Sequence, residues 1–223
     1  MRGPFKAVLA MVVVLFGLGA CQTTAEVAID LDETGTGRVA VQVELDDAAA
    51  ERVGDLDGLL AVGDLREGGW RVSTTERRVL AEKKVRSAAE VDRALDELGP
   101  PFAGLSFGRR RTFARTASEV SGRVDLAQGM AAFGDEDLRR ATGSVTGVDL
   151  PPEALALYLT VDLPGDEETN APGPDSRWNL PLGVVTAVRA ESTDVNVLGL
   201  SAVGMSVLSG LVLVFALVRR LRP

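Results

Sequence analysis

The feature that most constrains this chain is a run of 22 residues without a charge at positions 197–218, followed at once by Arg219, Arg220 and Arg222. As a helix rising about 1.5 Å per residue it would reach about 33 Å, matching a bilayer hydrocarbon core of about 30 Å. A surface helix of a water-soluble domain carries a charged or polar face, and this run offers no charged one. Positive residues collect on the cytoplasmic side of spanning helices, so residues 219–223 are expected inside and everything before 197 outside.

The other end asks for the same orientation. Arg2 and Lys6 form a short positive region before a 12-residue apolar run at 7–18. That is short for a span and right for the core of a signal peptide. The run ends in Leu18-Gly19-Ala20-Cys21. Small residues before a cysteine have the pattern of the bacterial lipobox, where the thiol takes a diacylglycerol and cleavage leaves the cysteine as the first mature residue. The expected organisation is a lipoprotein signal peptide at 1–20, an extracytoplasmic domain at 21–196, a transmembrane helix at 197–218 and a basic cytoplasmic tail at 219–223. The expected first partner is membrane lipid, met through the Cys21 diacylglycerol and residues 197–218 of a membrane-held protein.

Charge and composition narrow what the domain does. Residues 22–196 hold all 32 acidic residues against 19 of the 24 basic ones, a net charge of −13. Such a surface repels phosphate backbones, so nucleic acid is not an expected partner. The chain has no histidine, which removes His-dependent triads and His-containing metal sites, and its one cysteine rules out an intrachain disulfide. Nothing in the sequence calls for a cofactor, and the domain has to be held by its core.

Apolar periodicity outlines that core. Val27, Ile29 and Leu31 alternate with polar residues, as do Val39, Val41, Val43 and Leu45, on either side of Asp32-Glu33-Thr34-Gly35-Thr36-Gly37. This is the pattern of a hairpin. A helix is expected at about 47–60, a strand at 70–74 and an extended stretch at 78–86. Ser87-Ala88-Ala89-Glu90 has the spacing of a capping box, Ala88, Val91, Leu95 and Leu98 make a stripe, and Gly99-Pro100-Pro101 stops the helix. Residues 105–114 and 119–126 pattern as an antiparallel pair, and 128–140 as short helix and turn. Leu155, Leu157, Leu159, Val161 and Leu163 alternate most cleanly of all; 165–176 has the composition of an exposed loop, and a last extended region runs from Trp178 to Ala190. The expected fold class is α+β, an antiparallel β-sheet with two or more helices packed on one face.

Chemical motifs give little for catalysis. Gly104-Leu105-Ser106-Phe107-Gly108 matches the letters of a nucleophile elbow, but Ser106 sits within a strand pattern and no histidine stands ready to take its proton. Gly35-Thr36-Gly37 lacks the lysine and helix start of a phosphate loop. Asp135-Glu136-Asp137 and Glu167-Glu168 lack the spacing of a 12-residue calcium loop, so no metal site is expected. Arg109, Arg110, Arg111 and Arg115 form a basic cluster in acidic surroundings. On a strand, Arg109 and Arg111 point the same way as Leu105, Phe107 and Phe113. Arg109, Arg111, Phe107 and Phe113 are therefore candidate ligand residues, guanidinium forks taking phosphate oxygens beside an acyl chain. The bland alternative is that these arginines pair with acids across the sheet or snorkel at its edge.

The lipobox cysteine followed by Val27-Ala28-Ile29-Asp30-Leu31, the Gly35-Thr36-Gly37 turn, Gly122-Arg123-Val124-Asp125-Leu126, Trp178-Asn179-Leu180, Gly183-Val184-Val185-Thr186 and one C-terminal membrane helix together resemble the LppM-type lipoproteins of actinobacteria. The resemblance runs from about Cys21 to Val218 and departs in a longer stretch at 128–152. It implies a non-catalytic cell-envelope lipoprotein whose β-rich domain binds phosphatidylinositol-mannoside-type lipids. It carries over no catalytic residue. A protein-binding adaptor or assembly factor of the envelope is the other function such a doubly held domain would suit.

Each anchor should hold the domain alone. Cys21→Ala, which removes the acylation site, and truncation after Asp194 should each still pellet with membranes, and only the combined variant should be soluble outside the cytoplasm. Soluble mature protein from Cys21→Ala with residues 197–218 intact would contradict this reading.

Overall fold

The computed structural model describes residues 23–47, 50–51, 66–129, 132, 155–173 and 175–195. The signal peptide, Cys21, the uncharged run and the basic tail lie outside the described residues, as do most of the expected helix at 47–60 and most of 128–140. Among the described residues no helix is long and apolar enough to cross a membrane.

The two alternating runs near the start form strands β1 (Thr23–Leu31) and β2 (Gly37–Leu45), paired antiparallel with Leu31 opposite Gly37 and Thr23 opposite Leu45. Their odd-numbered side chains from Ala25 to Leu45 that point inward, Ile29 and Val39 among them, are buried, because successive strand residues face opposite sides of the sheet. The turn is organised by Asp32. Its Oδ1 accepts from the Thr34 amide at 2.7 Å, the Thr34 hydroxyl at 2.6 Å and the Thr36 amide at 3.1 Å, and its Oδ2 accepts from the Thr36 hydroxyl. Hydrogen bonds from the Thr34 and Thr36 side chains favour the ionised carboxyl and hold it at about 2. A depressed value means this support is present above the ordinary 3.8 and is lost as pH falls towards about 2.

The remaining elements are β3 (Arg71–Thr74), β4 (Arg78–Val85), helix α1 (Ala88–Glu97), β5 (Leu105–Arg111), β6 (Arg115–Asp125), β7 (Leu155–Asp162), β8 (Asp166–Thr169), β9 (Arg177–Asn179) and β10 (Val185–Val195). They build two sheets rather than the one expected: six strands in the order β3-β4-β2-β1-β7-β9 and four in the order β5-β6-β10-β8. Two further expectations need correction. β7 lies parallel to β1, with Thr23 opposite Leu155, so the larger sheet is mixed. The acidic stretch expected as loop contains β8, which pairs with β10 from Thr193↔Asp166 to Ala190↔Thr169. An exposed edge strand needs no apolar phase, which is why its pattern did not look like one. Of the helices, α1 is complete among the described residues and the expected second one shows only its start at 47, 50 and 51.

α1 begins as its sequence asks. Ser87 Oγ accepts the Glu90 amide at 3.3 Å, and Glu90 Oε2 returns to the Arg86 amide at 2.8 Å, one residue before the usual capping-box partner. Val91, Ala94, Leu95 and Leu98 are buried in the one core cluster that both sheets share. The last turn is seated by Glu97, which accepts from Trp70 Nε1 at 2.9 Å and from Lys83 Nζ at 2.5 Å. Lys83 also donates to the Gly68 carbonyl at 3.0 Å and stands 5.7 Å from the Trp70 ring centre. Asn170 joins the sheets at the far side, accepting from Trp178 Nε1 of the larger sheet at 3.0 Å and from the Arg189 amide of the smaller at 2.8 Å.

Glu97→Ala strips the Trp70 indole and the Lys83 ammonium of a shared, largely buried acceptor. It should destabilise the domain by about 1–3 kcal/mol in urea unfolding at neutral pH. A midpoint unchanged from wild type would show that the Glu97 seat adds nothing.

Candidate functional site

The four-stranded sheet changes character along its inner face. Leu105 and Phe107 of β5 are buried in the core, each 4% exposed, and Phe107 lies opposite Val120, itself opposite Ala190. One step further along the strands the row turns polar. Arg109 is opposite Ser118, Ser118 opposite Ser192, and Ser192 opposite Glu167, so one row crosses all four strands. Strands sit about 4.8 Å apart, so the row is about 14 Å long. Residues that pair across a sheet share a face, and this face looks towards the core.

The row is buried at its two serines, half-buried at Arg109 and Glu167, and incompletely satisfied. Ser118 is 5% exposed and Ser192 3%. Arg109 Nε, Ser192 Oγ and Glu167 Oε1 have no hydrogen-bond partner among the described residues. A buried polar atom left unpaired costs about 1–3 kcal/mol, and three such atoms fall in this one row, a fourth being Thr23 Oγ1 elsewhere. Burial holds the Glu167 carboxyl above its ordinary 4.5, opposed by a hydrogen bond from Ser176 and reinforced by the negative charge of Asp162.

Arg109 also closes one side. Its Nη1 donates to the Thr34 carbonyl and its Nη2 to the Glu33 carbonyl, so the guanidinium clasps the β1–β2 turn and ties the larger sheet to the smaller. Gly35 makes room for it: a Cβ there would stand 3.0 Å from Arg109 Cδ, and the residue has φ +78, which side-chain-bearing residues rarely adopt. Beyond Arg109 the next row is Arg111, Thr116 and Asp194. Then comes the β5–β6 turn with Phe113, 57% exposed.

Of the residues singled out from the sequence, Arg109, Arg111 and Phe107 do share the inner phase of β5. Phe107 is part of the core, Arg109 is engaged with the turn, and Arg111 and Phe113 are open to solvent. Cys21 lies outside the described residues. Ser106, the second residue of β5 and on its outer phase, donates to the Ser121 carbonyl at 3.4 Å. Among the described residues no group of acids gathers as a metal site would require. Ser118, Ser192 and Glu167 did not stand out in the sequence. The available signal was a serine in the apolar phase of a strand: Ser192 continues Val188 and Ala190, and Ser118 precedes Val120 in the same phase.

No protein-family model matches the chain, and no curated protein matches it. Among solved structures it is similar to the NMR structure of the folded domain of LppM from Mycobacterium tuberculosis, at 18% identity and a TM-score of 0.40, over 82% of this chain and 97% of that one.

A Glu167→Gln variant tests the burial of the row. A raised value means the folded state favours the protonated acid: that stability is complete below 4.5 and is lost as pH rises through the folded value. The variant should therefore melt above wild type at pH 7, the gap closing as pH falls through the folded value and gone by about 4.5. A gap that stays constant across that range would show that Glu167 ionises freely.

Proposed function

We propose that this protein is a non-catalytic lipoprotein of the cell envelope, held at the outer face of the membrane, whose domain binds or presents an anionic lipid of the phosphatidylinositol-mannoside type. The observation that carries the reading is the row of three unpartnered buried polar atoms on Arg109, Ser192 and Glu167. Its chemistry suits a phosphorylated, hydroxyl-rich headgroup. Arg109 Nε–H and the exposed Arg111 fork serve the phosphate, while the Ser192 hydroxyl and the Glu167 carboxyl serve sugar hydroxyls, as donor or acceptor according to protonation. Phe113 stands beyond Arg111, where an acyl chain would leave the headgroup. The lipobox, the uncharged run at 197–218 and the family resemblance of the sequence support the same setting.

A second reading has its own observation. Val184 and Val185 are 47% and 45% exposed at the start of β10, an apolar spot away from the polar row. An envelope adaptor would use such a spot for a protein partner. Cross-links from position 184 to a single envelope protein in cells, with no lipid bound to the purified domain, would favour it.

Native mass spectrometry of the purified, delipidated protein against a panel of envelope lipids is the direct test. An anionic mannosylated phospholipid should bind one to one. Ser192→Val should weaken it about tenfold, the worth of one buried hydrogen bond, and Glu167→Gln, which keeps a hydrogen-bonding group, should retain it. Binding of no lipid in the panel, or equal binding by Ser192→Val, would overturn the proposal.

A further inference from the structure

The end of the four-stranded sheet carries a second arrangement, past the polar row and on the outer face apart from Phe113. There β5 stops at Arg111, β6 begins at Arg115 and β10 ends at Val195, with Arg115 directly opposite Val195. On the outer face Arg110 lies opposite Ala117, which lies opposite Thr193. The intervening turn is firm. The Thr112 amide donates to the Arg115 carbonyl at 2.8 Å, and Thr112 Oγ1 accepts the Arg115 amide at 3.1 Å. It presents Phe113, 57% exposed, and Val195, the partner of Arg115, is 48% exposed. Arg110 and Arg115 are exposed and make no ion pair among the described residues, although the domain is rich in acids. That outer row ends at Asp166 of β8, opposite Thr193 and three strands from Arg110, and Asp194 lies on the inner face.

The chain itself says what lies next to this end. Val195 is two residues before the uncharged run at 197–218. If that run crosses the bilayer, Arg115 and the turn stand within a few residues' reach of the lipid headgroups, inside the about 8 Å over which charge acts in physiological salt. Two unpaired guanidiniums and an exposed aromatic ring are the groups that seat a protein on an anionic interface. We propose that the β5–β6 turn is a membrane-docking tip: Phe113 enters the headgroup region of the bilayer that residues 197–218 cross, and Arg110 and Arg115 pair with its lipid phosphates. The occupant is the anionic surface of that bilayer, and the tip fixes the orientation of the domain on it. This rests on the reading of residues 197–218 as a membrane span and not on the lipid-binding row.

The test uses the full chain with Cys21→Ser, which removes the one native thiol, and single nitroxide labels at Ala114→Cys, Val184→Cys or Ser206→Cys. Each is placed in nanodiscs of phosphatidylcholine with or without phosphatidylglycerol, and collisions with lipid-soluble oxygen and a water-soluble nickel chelate are measured. Position 184 lies just before the far end of β10, eleven residues and about 36 Å from Val195. In anionic nanodiscs the label at 114 should lose nickel collisions at least fivefold relative to 184. Arg110→Glu with Arg115→Glu should restore them, and Ser192→Val should not. A label at 114 as aqueous as that at 184 overturns the docking tip. Equal protection without phosphatidylglycerol overturns the role of the arginines, and spin–spin broadening at 114 replaces the bilayer with a second copy of the chain. A label at 206 without oxygen contact removes the span on which the proposal rests. Phosphatidylglycerol carries no sugar, so docking that survives while no mannosylated lipid binds separates this proposal from the headgroup site.

Discussion

The pairing of β6 with β10 is the constraint on which the rest of the site depends. Eleven consecutive residues match, from Val185↔Asp125 to Val195↔Arg115. A slip of one residue would turn every inward side chain of β10 outward, exposing Val188 and Ala190 and burying Glu191. The register is thus held by the core, and the core in turn dictates what faces what at the polar end. Ser192 meets Ser118, and Val195 meets Arg115, because Ala190 has to meet Val120. The polar row at one end of the sheet is positioned by apolar packing at its middle.

Arg109 then couples this sheet to the other. Its fork on the Glu33 and Thr34 carbonyls makes the β1–β2 turn a wall of the polar row. The turn is rigid enough for that because Asp32 accepts from both threonines and because Gly35 leaves the guanidinium room. A charged hydrogen bond to two main-chain carbonyls is stronger than its neutral counterparts. The same side chain leaves its Nε–H unpartnered, so one arginine is both a strut and a member of the polar row.

Where apolar periodicity is strong, the sequence was enough to read the fold. The β1–β2 hairpin, the Ser87-capped helix and the alternation at Leu157, Leu159 and Val161 all appear where the pattern places them. What periodicity could not supply was the partner of each strand. The pairing of β7 beside β1 joins residues more than a hundred positions apart, and nothing local specifies its direction. β8 escaped because Asp166-Glu167-Glu168-Thr169 has no apolar phase to announce a strand. The site was legible in its charge and not in its shape. Arg109 and Arg111 stood out as basic residues in acidic surroundings, whereas Ser118, Ser192 and Glu167 acquire meaning only once four strands are in register.

The central claim is that the row from Arg109 to Glu167 receives a hydroxylated headgroup. Intermolecular nuclear Overhauser effects between the protein and a short-chain mannosylated phosphoinositide test it most directly. The account predicts contacts from sugar ring protons to the β-protons of Ser192 and Ser118 and the γ-protons of Glu167. Contacts confined to Phe113 and the acyl chains, with none from a sugar ring to Ser192, would contradict it.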